Sequence, residues 1–364
     1  LSLCLISSNP KDELELKRLF FISQELKKRG HRFFIITNQG NRLSSQARLQ
    51  GYPVVNHRLG GRVGWISDWK LSRFLKKHEV KLVHFFDREA LEYSFKAVNK
   101  ANVPIRLTYW KPVWSWPQKR VLLNQLEAVV CDSEEAKRVL LNSNLSARLE
   151  VIPPGIDFSQ VKSLGKKDFL RRELNLSSES FLAGLLTPLE ELKTLKSHLE
   201  AIRSLNEEAP RLKIVVLGKG SLNLEKLRQE QPLELDNLYF YLGYDELIKE
   251  AIASLDLLVF GSFSMPQELL LEAMVWKVPV VGVMAAGMTE LIVHRETGFL
   301  VPPNDPPALA QTILKLYLDL SLAQTLTEQA YALVSSKHSC EAMAEKMANF
   351  YEFLALQKGV KIGR

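Results

Sequence analysis

The side chains with the most chemical capacity sit where apolar runs stop. In the later half, residues 255–260 and 278–283 are short apolar runs, each followed by a helical stretch: 268–276, and one beginning near Thr289 and Glu290. Runs of that length predict strands buried on both faces. Two strand-to-helix turns side by side at the carboxyl ends of parallel strands make a crevice toward which backbone N–H groups point. Anions suit such a crevice, diphosphates above all. Glu272 stands there between Leu271 and Ala273 on an otherwise apolar helix, where a carboxylate is costly to bury without a partner. The plainer alternative puts it on an exposed helix edge. Glu268 lies one turn earlier on the same face. Glu290 opens the next helix, where the dipole alone would favour a carboxylate. Lys193, in PLEELKTLK, is a cation on a charged loop, with Lys196 close behind. In the first half His84 and Asp87 (HFFD) end a strand and could meet a ligand, although a histidine in that place is more often structural.

The elements that must hold these groups alternate throughout. Strands are predicted at 3–8, 31–37, 81–86, 105–109 and 128–132, with helices at 12–29, 68–78 and 89–99 and one capped by Ser133. Strand–helix–strand order implies parallel sheets with right-handed crossovers. The polar stretch 159–168 reads as a linker, after which the pattern restarts with strands at 181–186, 213–217 and 238–242 and a helix at 195–205. The end of the stretch 252–306, after the helix that begins near Thr289 and Glu290, reads as a hairpin-like closure, and beyond Pro307 only helices are expected, 340–356 being amphipathic. The fold class is therefore α/β, in two Rossmann-like, doubly wound domains: residues 1–158, then 159–338, with 339–364 as a closing helix.

Length and charge bound the function. A chain of 364 residues suits two cores, and 46% hydrophobic with 24% charged residues is ordinary for a globular protein. No apolar run reaches the roughly 18–20 residues of a membrane span, and Leu1 to Ile6 read as a strand rather than a targeting segment. Cys4, Cys131 and Cys340 are distant and set among apolar residues, which implies reduced core thiols and a cytoplasmic protein without a metal motif. Residues 1–150 hold 26 Lys and Arg against 14 Asp and Glu, while the rest hold 22 against 27. The positive excess of the first half implies an acidic partner: an anionic membrane surface met peripherally, a phosphorylated lipid or an acidic saccharide. No nucleic-acid motif accompanies it, so nucleic acid is not expected. Trp110, Trp114 and Trp116 share one loop with Lys111, Pro112 and Pro117. That composition fits an interfacial wedge or a sugar-stacking wall, and equally a loop covering the core.

The later half also resembles a known family. LLLEAMVWKVPVVG, AAGMTE and ETGFLVPPNDPPALA, in that order and spacing, together with PPGID at 153–157, resemble the retaining GT-B glycosyltransferases of family four. The resemblance implies two domains facing across a cleft, with the last helix crossing back to the first. It implies a hexosyltransferase-type enzyme that moves a sugar from a nucleotide diphosphate sugar to a cell-envelope lipid or polysaccharide acceptor, without a cofactor or metal. It places Glu272 on the ribose hydroxyls, Lys193 on the diphosphate and Glu290 at the donor turn, with Gly218, Tyr244, Ser264 and Gln267 around them. His84, Asp87 and Glu268 are the candidates for catalysis. Trp110, Lys111, Trp114 and Trp116 are those for acceptor or membrane contact. Three positions depart from the family pattern: Pro188 stands where it has an arginine, Ser264 where it has a second glutamate, and Trp110 where it often has a histidine. The first turn, SSNPKDELEL, lacks the family's glycines. These departures support an alternative in which the protein is an inactive relative serving as partner or scaffold of an active transferase.

Overall fold

The structure, a computed structural model, describes residues 1–10, 13–59, 64–110, 120–143, 145–161, 168–189, 192–205, 207–218, 238–242, 247–262, 267–284 and 288–362. Its contacts divide the chain into two units, Leu1–Gly155 with Cys340–Arg364, and Ile156–Ser339.

The first unit alternates as β1 (Ser2–Ile6), α1 (Glu13–Lys28), β2 (Arg32–Thr37), α2 (Arg42–Leu49), β3 (Val54–Asn56), α3 (Gly64–Lys77), β4 (Leu82–Phe85), α4 (Arg88–Lys100), β5 (Ile105–Trp110), α5 (Arg120–Leu123), β6 (Ala128–Cys131), α6 (Glu134–Leu141) and β7 (Arg148–Val151). The strands form one parallel sheet in the order β3-β2-β1-β4-β5-β6-β7. Leu3, Cys4, Leu5 and Ile6 of the central β1 are wholly buried, as a strand covered by helices on both faces must be. Local chemistry sets the helix ends. Asn41, Asp87 and Ser133 accept hydrogen bonds from the backbone N–H groups three residues on and so cap α2, α4 and α6. Gly30, at φ +72°, ends α1 in the left-handed conformation that lets His31 N–H reach Leu26 O at 2.9 Å.

The second unit runs α7 (Phe158–Val161), α8 (Phe169–Glu173), β8 (Phe181–Leu186), α9 (Leu192–Arg203), β9 (Leu212–Gly218), β10 (Leu238–Leu242), α10 (Ile248–Ala253), β11 (Leu257–Phe260), α11 (Gln267–Val275), β12 (Val280–Val283), α12 (Met288–Leu291), β13 (Phe299–Val301), α13 (Pro306–Leu318) and α14 (Leu320–Lys337). Its parallel sheet has the order β10-β9-β8-β11-β12-β13. The segment expected to close as a hairpin supplies β13 instead. Phe299, Leu300 and Val301 pair in parallel with Val281, Gly282 and Val283 of β12, because a buried strand with an empty edge is completed more readily by a returning apolar triplet than by a free turn. Asp305 caps α13, with Pro306 and Pro307 at the first helical positions, where a missing N–H costs nothing.

The last helix, α15 (Cys340–Gln357), belongs to the first unit. Met343, Met347, Phe350, Tyr351 and Leu354 enter the core beneath α1. Glu352 draws in His31 Nε2 at 2.8 Å and Arg29 Nη1 at 3.3 Å, and Asn349 accepts from Arg29 at 2.7 Å. All three cysteines are buried free thiols.

Gly298, within ETGFLV, is fixed by packing. A Cβ there would stand 2.7 Å from both Val280 Cγ2 and the Val280 carbonyl oxygen, and backbone cannot step aside as a side chain can. Gly298→Ala is expected to cost about 1–3 kcal/mol, read as a lower midpoint in thermal or urea unfolding.

Candidate functional site

In a parallel sheet the crevice for a ligand opens where successive crossovers leave in opposite directions, at the carboxyl ends of the strands on either side. The strand orders put that point between β1 and β4 in the first unit and between β8 and β11 in the second. The two places differ in chemistry.

In the first unit the point is stitched by Asp87. Its Oδ2 accepts from Ser7 Oγ at 2.8 Å and Ser8 N–H at 2.7 Å, and its Oδ1 accepts from Ser8 Oγ at 2.8 Å and Ala90 N–H at 2.7 Å. Asn38 and Asn41 both donate to Ser8 O, at 3.1 and 2.9 Å. Burial pushes the Asp87 carboxyl up from its ordinary range, and the four donors pull it back toward the ionised form. Asp87 was a candidate for meeting acceptor or sugar. Its acceptor positions are taken up within the fold, so it serves as the clasp between β1 and α4.

His84 is likewise a core residue. Its ring is wholly buried, lies 4.4 Å from Phe86 and 4.7 Å from Tyr109 between centroids, and receives or gives a bond through Nδ1 to the Tyr351 hydroxyl at 2.6 Å. Burial, with Arg18 nearby, holds its pKa well below the usual histidine value. Trp110, expected at an acceptor or membrane contact, is 5% exposed and packs inside with Leu123, Leu126 and Cys131. As the last residue of β5 its side chain takes the α3 and α4 face of the sheet, which is interior. Lys111, Trp114 and Trp116 lie outside the described residues.

In the second unit the switch point carries polar atoms without partners. Thr187, just past β8, is buried, and its Oγ1 has no hydrogen-bond partner among the described residues. The same holds for His198 Nδ1, from the second turn of α9. The imidazole edge lies so close to the end of β11 that a Cβ on Gly261 would stand 2.8 Å from His198 Cε1. Burial lowers the His198 pKa to about 4, so the ring is neutral near pH 7. Gly218 ends β9, where a Cβ would run into the Thr187 carbonyl and stand 3.0 Å from Leu189 Cγ. Close packing therefore already accounts for the glycine.

Glu272, on α11, is 6% exposed, and its Oε1 meets Lys249 Nζ of α10 at 2.5 Å. The pair answers what a buried glutamate requires, a cation as its partner. Lys249 is 41% exposed along its side chain and keeps contact with solvent. Gln267 and Glu268 are half-buried on the first turn of α11. Glu290 is exposed on the short α12. Lys193 is the second residue of α9, but its side chain lies outside the described residues, as do Tyr244 and Ser264 entirely. Pro188 is half-buried beside Thr187. Among the described residues no group of three or more His, Cys, Asp or Glu side chains is placed to hold a metal ion.

Lys249, Thr187 and His198 were not anticipated. Lys249 is distant in sequence from Glu272 and carries no motif. His198 did carry a signal: with Leu195, Leu199 and Ile202 it completes an i, i+3, i+4, i+7 stripe on α9, which makes it a polar ring on a core-facing row.

Comparisons with known proteins bear on the family and the fold. Residues 18–160 match the family model described as Glycosyltransferase Family 4, and residues 180–319 match that of Glycosyl transferases group 1. The N-acetyl-alpha-D-glucosaminyl L-malate synthase of Bacillus anthracis is 23% identical over 253 residues, 66% of this chain and 65% of that protein. The capsular polysaccharide biosynthesis glycosyltransferase CapM of Staphylococcus aureus is 23% identical over 64% of this chain and 63% of its own. The matched stretch thus spans a little under two thirds of these two relatives. A GDP-mannose-dependent alpha-(1-6)-phosphatidylinositol monomannoside mannosyltransferase of Mycobacterium tuberculosis is 23% identical over 91% of this chain and 92% of its own. Among solved structures, a glycosyltransferase from Rickettsia africae superposes with a TM-score of 0.73 at 20% identity, covering 97% of this chain and 98% of that one. HepE of Anabaena in complex with UDP gives 0.71 at 20% identity, over 97% and 99%. The fold is GT-B: two Rossmann-like domains, with the last helix returned to the first.

The buried histidine gives a pH test. Above the ordinary value of 6.5, His198 is neutral whether folded or not. As pH falls toward 4 the unfolded chain takes the proton first, so stability is lost across that window, by up to about 3 kcal/mol. Thermal unfolding of His198→Leu, compared with the parent over the same range, should show a flatter loss of midpoint with acid.

Proposed function

Both halves of the chain fall in glycosyltransferase families, and from that premise we propose that the protein moves a hexose from a nucleoside diphosphate sugar to a lipid-linked or polysaccharide acceptor of the cell envelope, with retention of anomeric configuration. The observation that supports this best is Glu272. It is a nearly enclosed carboxylate, paired with Lys249, at the position where the resemblance puts the acceptor of ribose hydroxyl protons. The proposed donor site also uses Thr187 Oγ1, just past β8, and His198 Nδ1, of α9 beside the end of β11, both without partners among the described residues, as its polar floor.

Cleavage of the sugar–phosphate bond leaves negative charge on the departing diphosphate, and the rate gain comes from groups already aimed at that charge. His198, being neutral, contributes none. In this reading Lys193 and the first-turn N–H groups of α9 and α11 supply it, without a metal. The sequence carries no Asp-x-Asp pair that would imply one. With Trp110 in the core, and His84 and Asp87 engaged inside the fold, the donor chemistry rests on the second unit. The acceptor class follows the activities of the capsular and phosphatidylinositol relatives and the basic charge of the first domain. Among the described residues no helix is long and apolar enough to cross a membrane. Contact in this reading is peripheral, at the cytoplasmic face.

Calorimetric titration with UDP, GDP and their hexose conjugates tests the donor site. One nucleotide should bind in the micromolar range, and Glu272→Gln should weaken it about tenfold or more while unfolding at a similar temperature. No binding by any of them, together with a stable protein partner recovered in its place, would establish the inactive-scaffold reading instead. Where binding occurs, the anomeric configuration of the product by NMR checks retention.

A further inference from the structure

The first unit exposes aromatic surface on α3, in the sequence GWISDWKLSRFLKK. Trp65 is 76% exposed and Trp69, one turn on, is 48% exposed, with Ile66 between them at 36%. Lys70, Arg73, Lys76 and Lys77 are exposed on the same helix, and Leu71, Ser72 and Leu75 are buried on its other side. At about 100° per residue the exposed set fills one continuous arc of about 140°. Going around the helix, tryptophans and isoleucine are interleaved with cations. Arg73 lies over the Trp69 ring, 5.4 Å from its centroid, so that charge and indole present together. No carboxylate or amide side chain falls on that arc.

We infer that this face of α3 is the surface by which the protein docks on a bilayer containing anionic phospholipid. A monomeric protein rarely leaves two indoles a turn apart in water, and a patch of that kind marks an interaction site. Its composition selects the occupant. Indole is the side chain that settles at the level of lipid headgroups, apolar body toward the acyl chains and N–H toward water, and isoleucine beside it adds acyl contact. Four cations in the same arc match anionic headgroups, each attracted within a Debye length of the surface. A saccharide platform would require carboxylates or amides beside the rings to bind hydroxyls, and the arc has none. The inference deepens the reading of the first domain as peripherally membrane-bound and rests on it, while being independent of the donor site.

The test is co-sedimentation of the full chain with vesicles of phosphatidylcholine alone and of phosphatidylcholine with about one-third phosphatidylglycerol, at about 0.1 and 0.5 M salt. Retention on the anionic vesicles, lost on neutral ones and weakened by salt, is expected. Trp65→Ser with Trp69→Ser, and separately Lys70→Glu with Arg73→Glu, should each cut retention about tenfold or more without lowering the unfolding temperature. Leu49→Ser, on the 88% exposed end of α2, should leave it unchanged. If the parent binds and both α3 variants bind equally well, this assignment falls and the peripheral reading stands. If the parent binds neither vesicle, both fall and the nucleotide titration is untouched. A self-associated parent that ignores vesicles and becomes monomeric in the tryptophan variant would show that the patch is covered by a second copy.

Discussion

Everything in this protein turns on how each sheet disposes of the polar groups at its switch point. A strand buried on both faces ends abruptly, and its last backbone and side-chain polar atoms must find partners or a ligand. In the first unit Asp87 supplies four acceptor bonds and two asparagines close on Ser8 O, so the junction is rigid and internally satisfied. Hydrogen bonds to a charged group contribute about 1.5–3 kcal/mol each, which makes that clasp a principal local constraint. In the second unit the equivalent junction keeps Thr187 Oγ1 and His198 Nδ1 without partners among the described residues. The same topology is thus used twice, once as a fastening and once, in the function proposed above, as a receptacle.

The contrast also explains the odd turn after β1. In SSNP the serines at 7 and 8 are what a buried carboxylate wants as donors, a role that glycines could not fill with a side chain. Behind it, on the α1 and α15 face, a second polar set is enclosed. Arg18, 3% exposed, reaches Asp132 Oδ1 at 3.3 Å and lies 4.4 Å above the Tyr109 ring, while His84 leans on Tyr351. Such groups stay buried only where each charge meets its opposite or a ring face.

Much of the architecture could be read from residue order alone, and the reasons are specific. Strands such as LCLI and LLVF are too short and too apolar to be anything but interior strands, and Ser133 and Gly30 are chemically suited to begin and end helices. The triplet FLV was misjudged because three residues carry no periodicity; only the vacant edge of β12 makes them a strand. Composition leaves Trp110 between a contact surface and a place over the core, because it does not say which face of a strand a side chain takes. At the site, the burial of Glu272 could be anticipated from its apolar neighbours, whereas Lys249 could not, since an ion pair between two helices leaves no local pattern.

The first unit is assembled from two stretches of chain separated by the whole of the second. A ribosome delivers its β-sheet early and its covering helix only after the whole of the second unit. Until Cys340–Gln357 leaves the exit tunnel, the apolar row of α1 and the ring of His84 have no lid, and the nascent sheet waits with one side wet. The later unit, contiguous in sequence, can finish first. Completion of the earlier unit therefore waits on residues made after the whole of the later one.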